Sequence, residues 1–384
     1  MDFEFNDEQK MFRNMAREFT ERHVKPHVKE VEKEKRFFRE VLVEAAPLGL
    51  LGITAPQEYG GLQADRISYC CVLEEIAKVS TTAATIVGVQ NSFSETPILE
   101  WGTPEQKNKY IPRLIRGEIL GCLGVTEPNH GSDPASMETM AIRDGNGWVV
   151  NGAKMFTTGA VVADICTTAA QTDRSLKHRG IFAFVVEKGT PGFNPREVPG
   201  TLGLHGFPTS EISFQNCRVP DENMLGKVGD GFKVFMSGLD DARLLVCAVS
   251  VGIAQGCIDA CIEYAQQRQQ FGKPIGNFQL IQAKVADMVV EMEAARLLAY
   301  RAATLMDQGL RGRVETSYCK LFGSEMVQRV TYNAIQIHGG YGYIDEYPVE
   351  RHFRDARALT IVEGTSDIHR LSIGRHHIGI NAFV

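Results

Sequence analysis

The sequence predicts a mainly α-helical protein with a β domain in its middle, and three observations predict it. Residues 1–119 carry apolar side chains at helical spacing. Residues 120–228 switch to alternation broken by glycine and proline. Residues 229–384 return to long helical runs rich in Ala, Leu, Met and Glu. The chain divides accordingly into an N-terminal helical domain (1–119), a middle β domain (120–228) and a C-terminal helical bundle (229–384).

In the first domain, Asn6-Asp7-Glu8-Gln9 reads as a capping box, with Asn6 as N-cap and Gln9 reaching back to it. Met11, Met15 and Phe19 follow at i+4 and predict the apolar stripe of the first helix. Pro26 bends or interrupts that pattern. Residues 37–48 form a second helix ending at Gly49, residues 56–61 a loop, and residues 66–79 and 82–102 two further helices. Thr103-Pro104-Glu105-Gln106 starts another, with proline at its first position.

In the middle domain, Asp144-Gly145-Asn146-Gly147 is a hairpin signal between strands at 139–143 and 148–151. Residues 180–187 and 211–214 are further strands, the latter setting Ile212 and Phe214 on one face. Glycines and prolines between residues 189 and 200 punctuate the region, as in a small barrel or a pair of sheets. Gly229-Asp230-Gly231 starts the bundle, whose helices at 232–268, 278–308 and 314–338 are too apolar to stand alone. They are expected to pack within the bundle, with packing between subunits left open.

Hydrophobic residues make up 43% of the 384 and charged residues 23%, the balance of a soluble globular chain. No apolar run approaches the ~18 residues of a membrane span. Met1-Asp2-Phe3-Glu4-Phe5 resembles neither a signal nor a transit peptide, so a cytoplasmic, bacterial-type protein is expected. A net charge of −6 argues against a nucleic-acid partner. Nine cysteines, an odd number with no C-x-x-C pair, do not form a disulfide framework. Cys257 and Cys261 share a helix face, which suits core packing or half of a metal site. His376 and His377 are adjacent and do not face one site, and no metal centre is expected. Dinucleotide-fold, P-loop, zinc-protease and serine-hydrolase motifs are missing from the sequence.

Three stretches carry the chemistry. Gln336-Ile337-His338-Gly339-Gly340-Tyr341-Gly342-Tyr343 is a helix end breaking into glycines, where backbone can approach a ligand. Glu363 lies between Ile361-Val362 and Gly364-Thr365-Ser366. An apolar flank desolvates a carboxylate and raises its pKa towards proton abstraction, although a helix-capping glutamate fits the same pattern. Val125-Thr126-Glu127-Pro128-Asn129-His130-Gly131-Ser132-Asp133 suits a polar ligand against backbone amides, or equally a turn between elements.

These stretches, with Arg268-Gln269-Gln270-Phe271-Gly272-Lys273-Pro274-Ile275 and Glu346-Tyr347-Pro348, resemble in order the signatures of the flavin-dependent acyl-CoA dehydrogenases, and the resemblance covers essentially the whole chain. It implies an N-terminal helical domain, a β domain and a C-terminal four-helix bundle, assembled as a homotetramer, with FAD between the β domain and the bundle. It implies that Val125, Thr126 and Ser132 contact flavin or the adjoining CoA, that Phe156 shields the flavin where many members have Trp, and that Thr158 sits near flavin N5. Arg268, Phe271, Gln336 and Gly340 would hold the diphosphate and adenosine across a subunit interface, with Thr365 and Asp367 at the other end. Many members carry an amide at the position of Asp367, and a small residue at that of His130.

Glu363 matches the family's catalytic base, with Gly364 beside it. Some relatives place the base on a bundle helix just before an arginine, but here Ala242 precedes Arg243, which strengthens Glu363. Asp240, Arg243 and Arg375 become candidates for CoA contacts. The acyl pocket floor should come from residues 85–97, where Val89, Gln90 and Glu95 depart from common patterns; Gln90 and Glu95 either leave room for a cyclic or unusual acyl group or equally face the bundle. Glutaryl-CoA members carry an arginine early in this helix, and residues 81–85 have none, which disfavours a dicarboxylic substrate. The implied reaction is α,β-dehydrogenation of an acyl-CoA, with electrons passed to an electron-transferring flavoprotein. Oxidase or enoyl-CoA reductase work on the same fold, or a non-catalytic acyl-CoA-binding flavoprotein, are the alternatives.

Overall fold

The computed structural model describes residues 4–310 and 314–382. Asn6 caps α1 (Asp7–Phe19): its side chain accepts from the Gln9 N–H at 2.8 Å, and the Gln9 side chain accepts from the Asn6 N–H at 3.1 Å. The buried face of α1 is Gln9, Phe12, Ala16 and Phe19, whereas Met11 is 56% exposed. The expected stripe is therefore displaced by one position at its start. Gln9 donates to Asp65 at 2.8 Å, which turns its i+3 and i+7 neighbours Phe12 and Ala16 inward.

The helix widens at Thr20–Val24 and tightens at Lys25–His27 around Pro26 before α2 (Val28–Glu34). α3 (Arg39–Ala45) runs through a 3₁₀ turn to Gly49, whose φ of +72° suits the missing Cβ. α4 (Arg66–Ala77) follows. The helix expected over 82–102 is broken into α5 (Thr81–Val89), a wide turn at Gln90–Ser94, and α6 (Thr96–Trp101). Pro97 explains the break, because it has no N–H to return to residue 93. α7 (Pro104–Ile115) opens on a second capping box, Thr103 with Gln106.

The middle domain is one eight-stranded sheet: β1 (Gly121–Gly124), β2 (Met140–Asp144), β3 (Gly147–Thr158), β4 (Ile165–Gln171), β5 (Ile181–Glu187), β6 (Phe193–Glu197), β7 (Thr209–Pro220) and β8 (Met224–Leu225). Its order is β6-β7-β3-β2-β4-β5-β8, with β1 parallel to β4. β2 and β3 pair antiparallel across Gly145-Asn146. The sheet curls on itself, so that Val150, Cys166, Phe184 and Ile212 from four strands share one core.

The last domain comprises α8 (Gly231–Gln267), a short hairpin of β9 (Gln269–Gln270) and β10 (Lys273–Pro274), α9 (Gln279–Asp307), α10 (Val314–His338), α11 (Val349–Ala356) and α12 (Ser366–Ile378). Apolar side chains of α1, α3–α5 and α8–α11 form one continuous core, so the two helical domains are packed as one body. Arg66 fastens them at Asp241 and Asp307, 2.9 Å each, and Thr96 donates to Asp241 at 3.0 Å. α8 is long and apolar enough to cross a membrane, and most of that stretch is buried in this core. All nine cysteines are buried free thiols, Cys257 and Cys261 included.

Of the two placements the sequence allows for Gln90, its hydrogen bonds match the one that faces the helices. Its amide donates to the carbonyls of Leu114 and Ile119 at 2.9 Å each and accepts from the Gly121 N–H at 3.3 Å. It stitches α7 to β1, so its amide serves the fold. Val89 is likewise buried in the helical core. Gln90→Leu should lose about 2–4 kcal/mol of stability through the stranded carbonyls. Chemical denaturation measures that loss, and a variant of wild-type stability would show that the stitch contributes nothing.

Candidate active site

Glu363 lies where the bundle helices converge. α11 passes through a 3₁₀ turn at Arg357–Thr360, Val362 packs on the helical core, and the chain reverses through Glu363 and Gly364 into α12. Thr365 caps α12, its hydroxyl accepting from the Ile368 N–H at 3.3 Å. The reversal needs left-handed backbone, φ +57° at Glu363 and +96° at Gly364. For a non-glycine residue this costs about 1–3 kcal/mol. A Cβ at Gly364 would come within 3.2 Å of the His369 ring, so only glycine fits without a shift.

The Glu363 side chain is half-buried. Burial pushes its carboxyl up to about 7, against the pull of Lys320 and Arg243. The Lys320 ammonium donates to the Gly364 carbonyl at 2.7 Å. His369 Nε2 lies 3.2 Å from the Glu363 carbonyl, and burial, with Arg243 and Lys320 nearby, pushes this imidazole down to about 3. Arg243 pairs with buried Asp240 at 2.9 Å, and Ala242 is buried in α8. The sequence reading missed Lys320 and His369. The available signal was a lysine inside the apolar run Tyr318-Cys319-Lys320-Leu321-Phe322.

A second group gathers where β1 meets β3. Val125 and Thr126 are half-buried, and Thr126 accepts from the Met155 N–H at 2.8 Å. Lys154, wholly buried, donates to Glu127 at 2.8 Å and to the Val125 carbonyl at 3.3 Å. Glu127 also accepts from the N–H groups of Glu138 and Thr139. Burial works to raise the Glu127 carboxyl, but Lys154 and these donors win and hold it below its usual range. Ser132 is exposed in the following loop, and His130 lies 3.5 Å from Glu138. Phe156 sits where the β3–β7 register shifts, at φ +58° and 62% exposed, with Thr158 half-buried at the strand end.

A third group occupies the far end of α8 and α10. The Arg268 guanidinium lies 5.6 Å from the Tyr341 ring centre, beside a groove of about 410 Å³ that Gly339 and Gly340 help line. Both glycines face open space. Gln336 is exposed in the last turn of α10, and Phe271 projects from the β9–β10 hairpin at φ +51° and 92% exposed. On α12, Asp367 pairs with Arg370 at 2.9 Å, and Arg375 is exposed ~14 Å along from the helix start. Open glycine backbone, a cation and exposed aromatic rings suit a diphosphate joined to flat rings, and so fit a flavin dinucleotide.

Three family descriptions account for most of the chain: acyl-CoA dehydrogenase N-terminal domain over residues 6–118, middle domain over 122–217 and C-terminal domain over 229–378. The chain belongs to the acyl-CoA dehydrogenase family. Members of this family are FAD-dependent oxidoreductases. An acyl-CoA dehydrogenase of Bacillus subtilis (strain 168) is 42% identical over 372 residues, 97% of this chain and 98% of that protein. An acryloyl-CoA reductase (NADH) of Anaerotignum propionicum is 42% identical over 377 residues, 98% of this chain and 95% of its own. The butyryl-CoA dehydrogenase structure from Megasphaera elsdenii superposes with a TM-score of 0.95 at 39% identity, covering 98% of this chain and 100% of that one.

Lys154→Met should strand the Glu127 carboxylate and destabilise the protein by about 3–5 kcal/mol. Thermal and denaturant unfolding read this out, and an unchanged midpoint would dismiss the pair as a structural clamp.

Proposed function

We propose that this acyl-CoA dehydrogenase family member uses Glu363 to remove the α-proton of an acyl-CoA thioester in its α,β-dehydrogenation to the 2-enoyl-CoA. The observation that carries this reading is Glu363 itself: a half-buried carboxyl on left-handed backbone, pushed up to about 7 yet still able to ionise near neutrality. A base with a pKa near the working pH combines an ionised fraction with useful proton affinity. When bound, FAD supplies a hydride acceptor at flavin N5.

The remaining roles fall to this chain's own groups. The Glu363 N–H donates to the thioester oxygen, where charge develops as the α-proton leaves. Val125, Thr126 and Thr158 would line the flavin, and Phe156 would shield it. Ser132, Asp240, Arg243, Gly364 and Arg375 are the candidates for CoA. Arg268, Phe271, Gln336 and Gly340 reach the FAD of a neighbouring subunit in a homotetramer; the 92% exposure of Phe271 in the single chain supports this. Thr365 and Asp367 would meet the diphosphate at its other end.

The substrate is a short or medium, branched or cyclic acyl-CoA. Thr81, Thr82, Ala83 and Ala84 are buried and uncharged, so this part of α5 has nothing to pair with a distal carboxylate. Electrons pass to an electron-transferring flavoprotein, in a cytoplasmic setting. A second reading, enoyl-CoA reduction, is favoured by the name of the Anaerotignum relative. An acid of pKa about 7 returns a proton as readily as it takes one.

Glu363→Gln should keep FAD and CoA-ester binding while turnover falls about 10²–10⁴-fold. A variant with near-normal turnover would end the base assignment. In the wild type, anaerobic flavin bleaching by straight-chain, branched, cyclic and dicarboxylic acyl-CoAs should select one monocarboxylic class. Its rate should rise with pH through about 7 as Glu363 ionises. A flat profile across pH 6–8, or bleaching by the dicarboxylic ester alone, would contradict this reading.

A further inference from the structure

The base loop is held from two sides. His369 of α12 faces the Glu363 carbonyl, and Lys320 of α10 donates to the Gly364 carbonyl at 2.7 Å. Lys320 has no exposed surface, and among the described residues its hydrogen bond goes to this one neutral oxygen. A buried ammonium so bonded lacks a counter-charge in contact.

The surrounding charges are committed elsewhere. From α8, Arg243 is paired with Asp240. On α10 itself, Glu325 lies 3.4 Å from Arg370 of α12. His369 is held neutral. The carboxyl left to answer the Lys320 charge is Glu363, whose loop it already holds.

We propose that Lys320 is a positioning residue for the base: it anchors the Glu363 loop through Gly364 and sets the ionisation of Glu363 by its charge. The proposal rests on reading Glu363 as the base and adds the group that governs it. Burial lowers the ammonium to about 8, with Glu363 pulling the other way. When Glu363 is ionised, carboxylate and ammonium stabilise each other. When Glu363 takes the substrate proton, Lys320 is left as a lone buried cation. The charge therefore favours release of that proton after each turnover and keeps the base ionised at neutral pH.

The test compares neutral and charged replacements in the FAD-loaded protein. Lys320→Met and Lys320→Gln remove the charge, so the acid limb of kcat/KM should move alkaline by about one pH unit or more. At pH 6 that is at least a tenfold loss beyond any uniform drop. Lys320→Arg keeps the charge and should hold the limb near its wild-type position. A limb unmoved in the neutral variants, or moved equally in all three, would overturn the proposal.

Because a neutral residue at a buried lysine can prevent folding, the coupling is also read from the other partner. A lysine depressed by folding adds stability as pH rises from its folded value towards its unfolded one. In the wild type that rise should start near pH 8. In Glu363→Gln the partner charge is gone, so the rise in melting temperature should start at lower pH. A rise starting at the same pH as in the wild type would refute the coupling. This measurement needs no turnover, so it separates failure of the Lys320 role from failure of Glu363 as base.

Discussion

The constraint on which the structure depends is that one carboxylate must be dry enough to be basic and still ionise. Burial alone pushes Glu363 upward, and Lys320 and Arg243 limit the rise to about 7. The two cations come from different helices, α10 and α8, and the loop between them is fixed by α11 before it and α12 after it. The long bundle helices therefore do more than enclose a core. They bring two charges to a carboxyl 43 residues beyond one and 120 beyond the other, which a local motif cannot do. The shared core of the two helical domains gives this arrangement its rigidity.

The strained backbone points to the same places. Among the described residues, eight non-glycine residues have positive φ, and Phe156, Phe271 and Glu363 are three of them. Each lies where a regular element is interrupted: a register shift in β3, the tip of the β9–β10 hairpin, the reversal before α12. Strain of this kind persists only where the surroundings over-determine it. Around Glu363 those surroundings are the His369 and Lys320 contacts. Beside Phe156 they are the β3–β7 ladder and the buried pair of Lys154 and Glu127.

Local features were legible in the sequence. The capping boxes at Asn6 and Thr103, the β2–β3 hairpin and the starts of the bundle helices depend on neighbours within a few residues. What failed depended on distant contacts. Met11 reads as core until Asp65 fixes the rotation of α1 through Gln9. β4, Ile-Cys-Thr-Thr-Ala-Ala-Gln, is buried throughout, so it has no alternation to read. Gln90 stayed open between pocket and bundle because pattern reports that a residue is polar and not what it bonds. Glu363 stood out from its neighbours and its resemblance, but Lys320, in contact with Gly364 across 44 residues, did not.

Among the described residues, two lysines have no exposed surface, and comparison of them separates two uses of a buried charge. Lys154 has a carboxylate at 2.8 Å, and that carboxylate also accepts from two backbone N–H groups. Its charge is spent, and the result is a clamp that ties the segment from Val125 to Glu127 onto β3. Lys320 has a carbonyl in contact and its carboxylate at a distance. Among the described residues no carboxylate is in contact with it, and of the carboxyls that act on its charge Glu363 acts most strongly. Direct ion pairing at Glu363 would have fixed the carboxylate and lowered its basicity beyond use. Placing the ammonium on the next peptide carbonyl anchors the loop and leaves both Glu363 oxygens free of it. On the proposed reading, Glu363 would then be oriented by a charge that does not consume it.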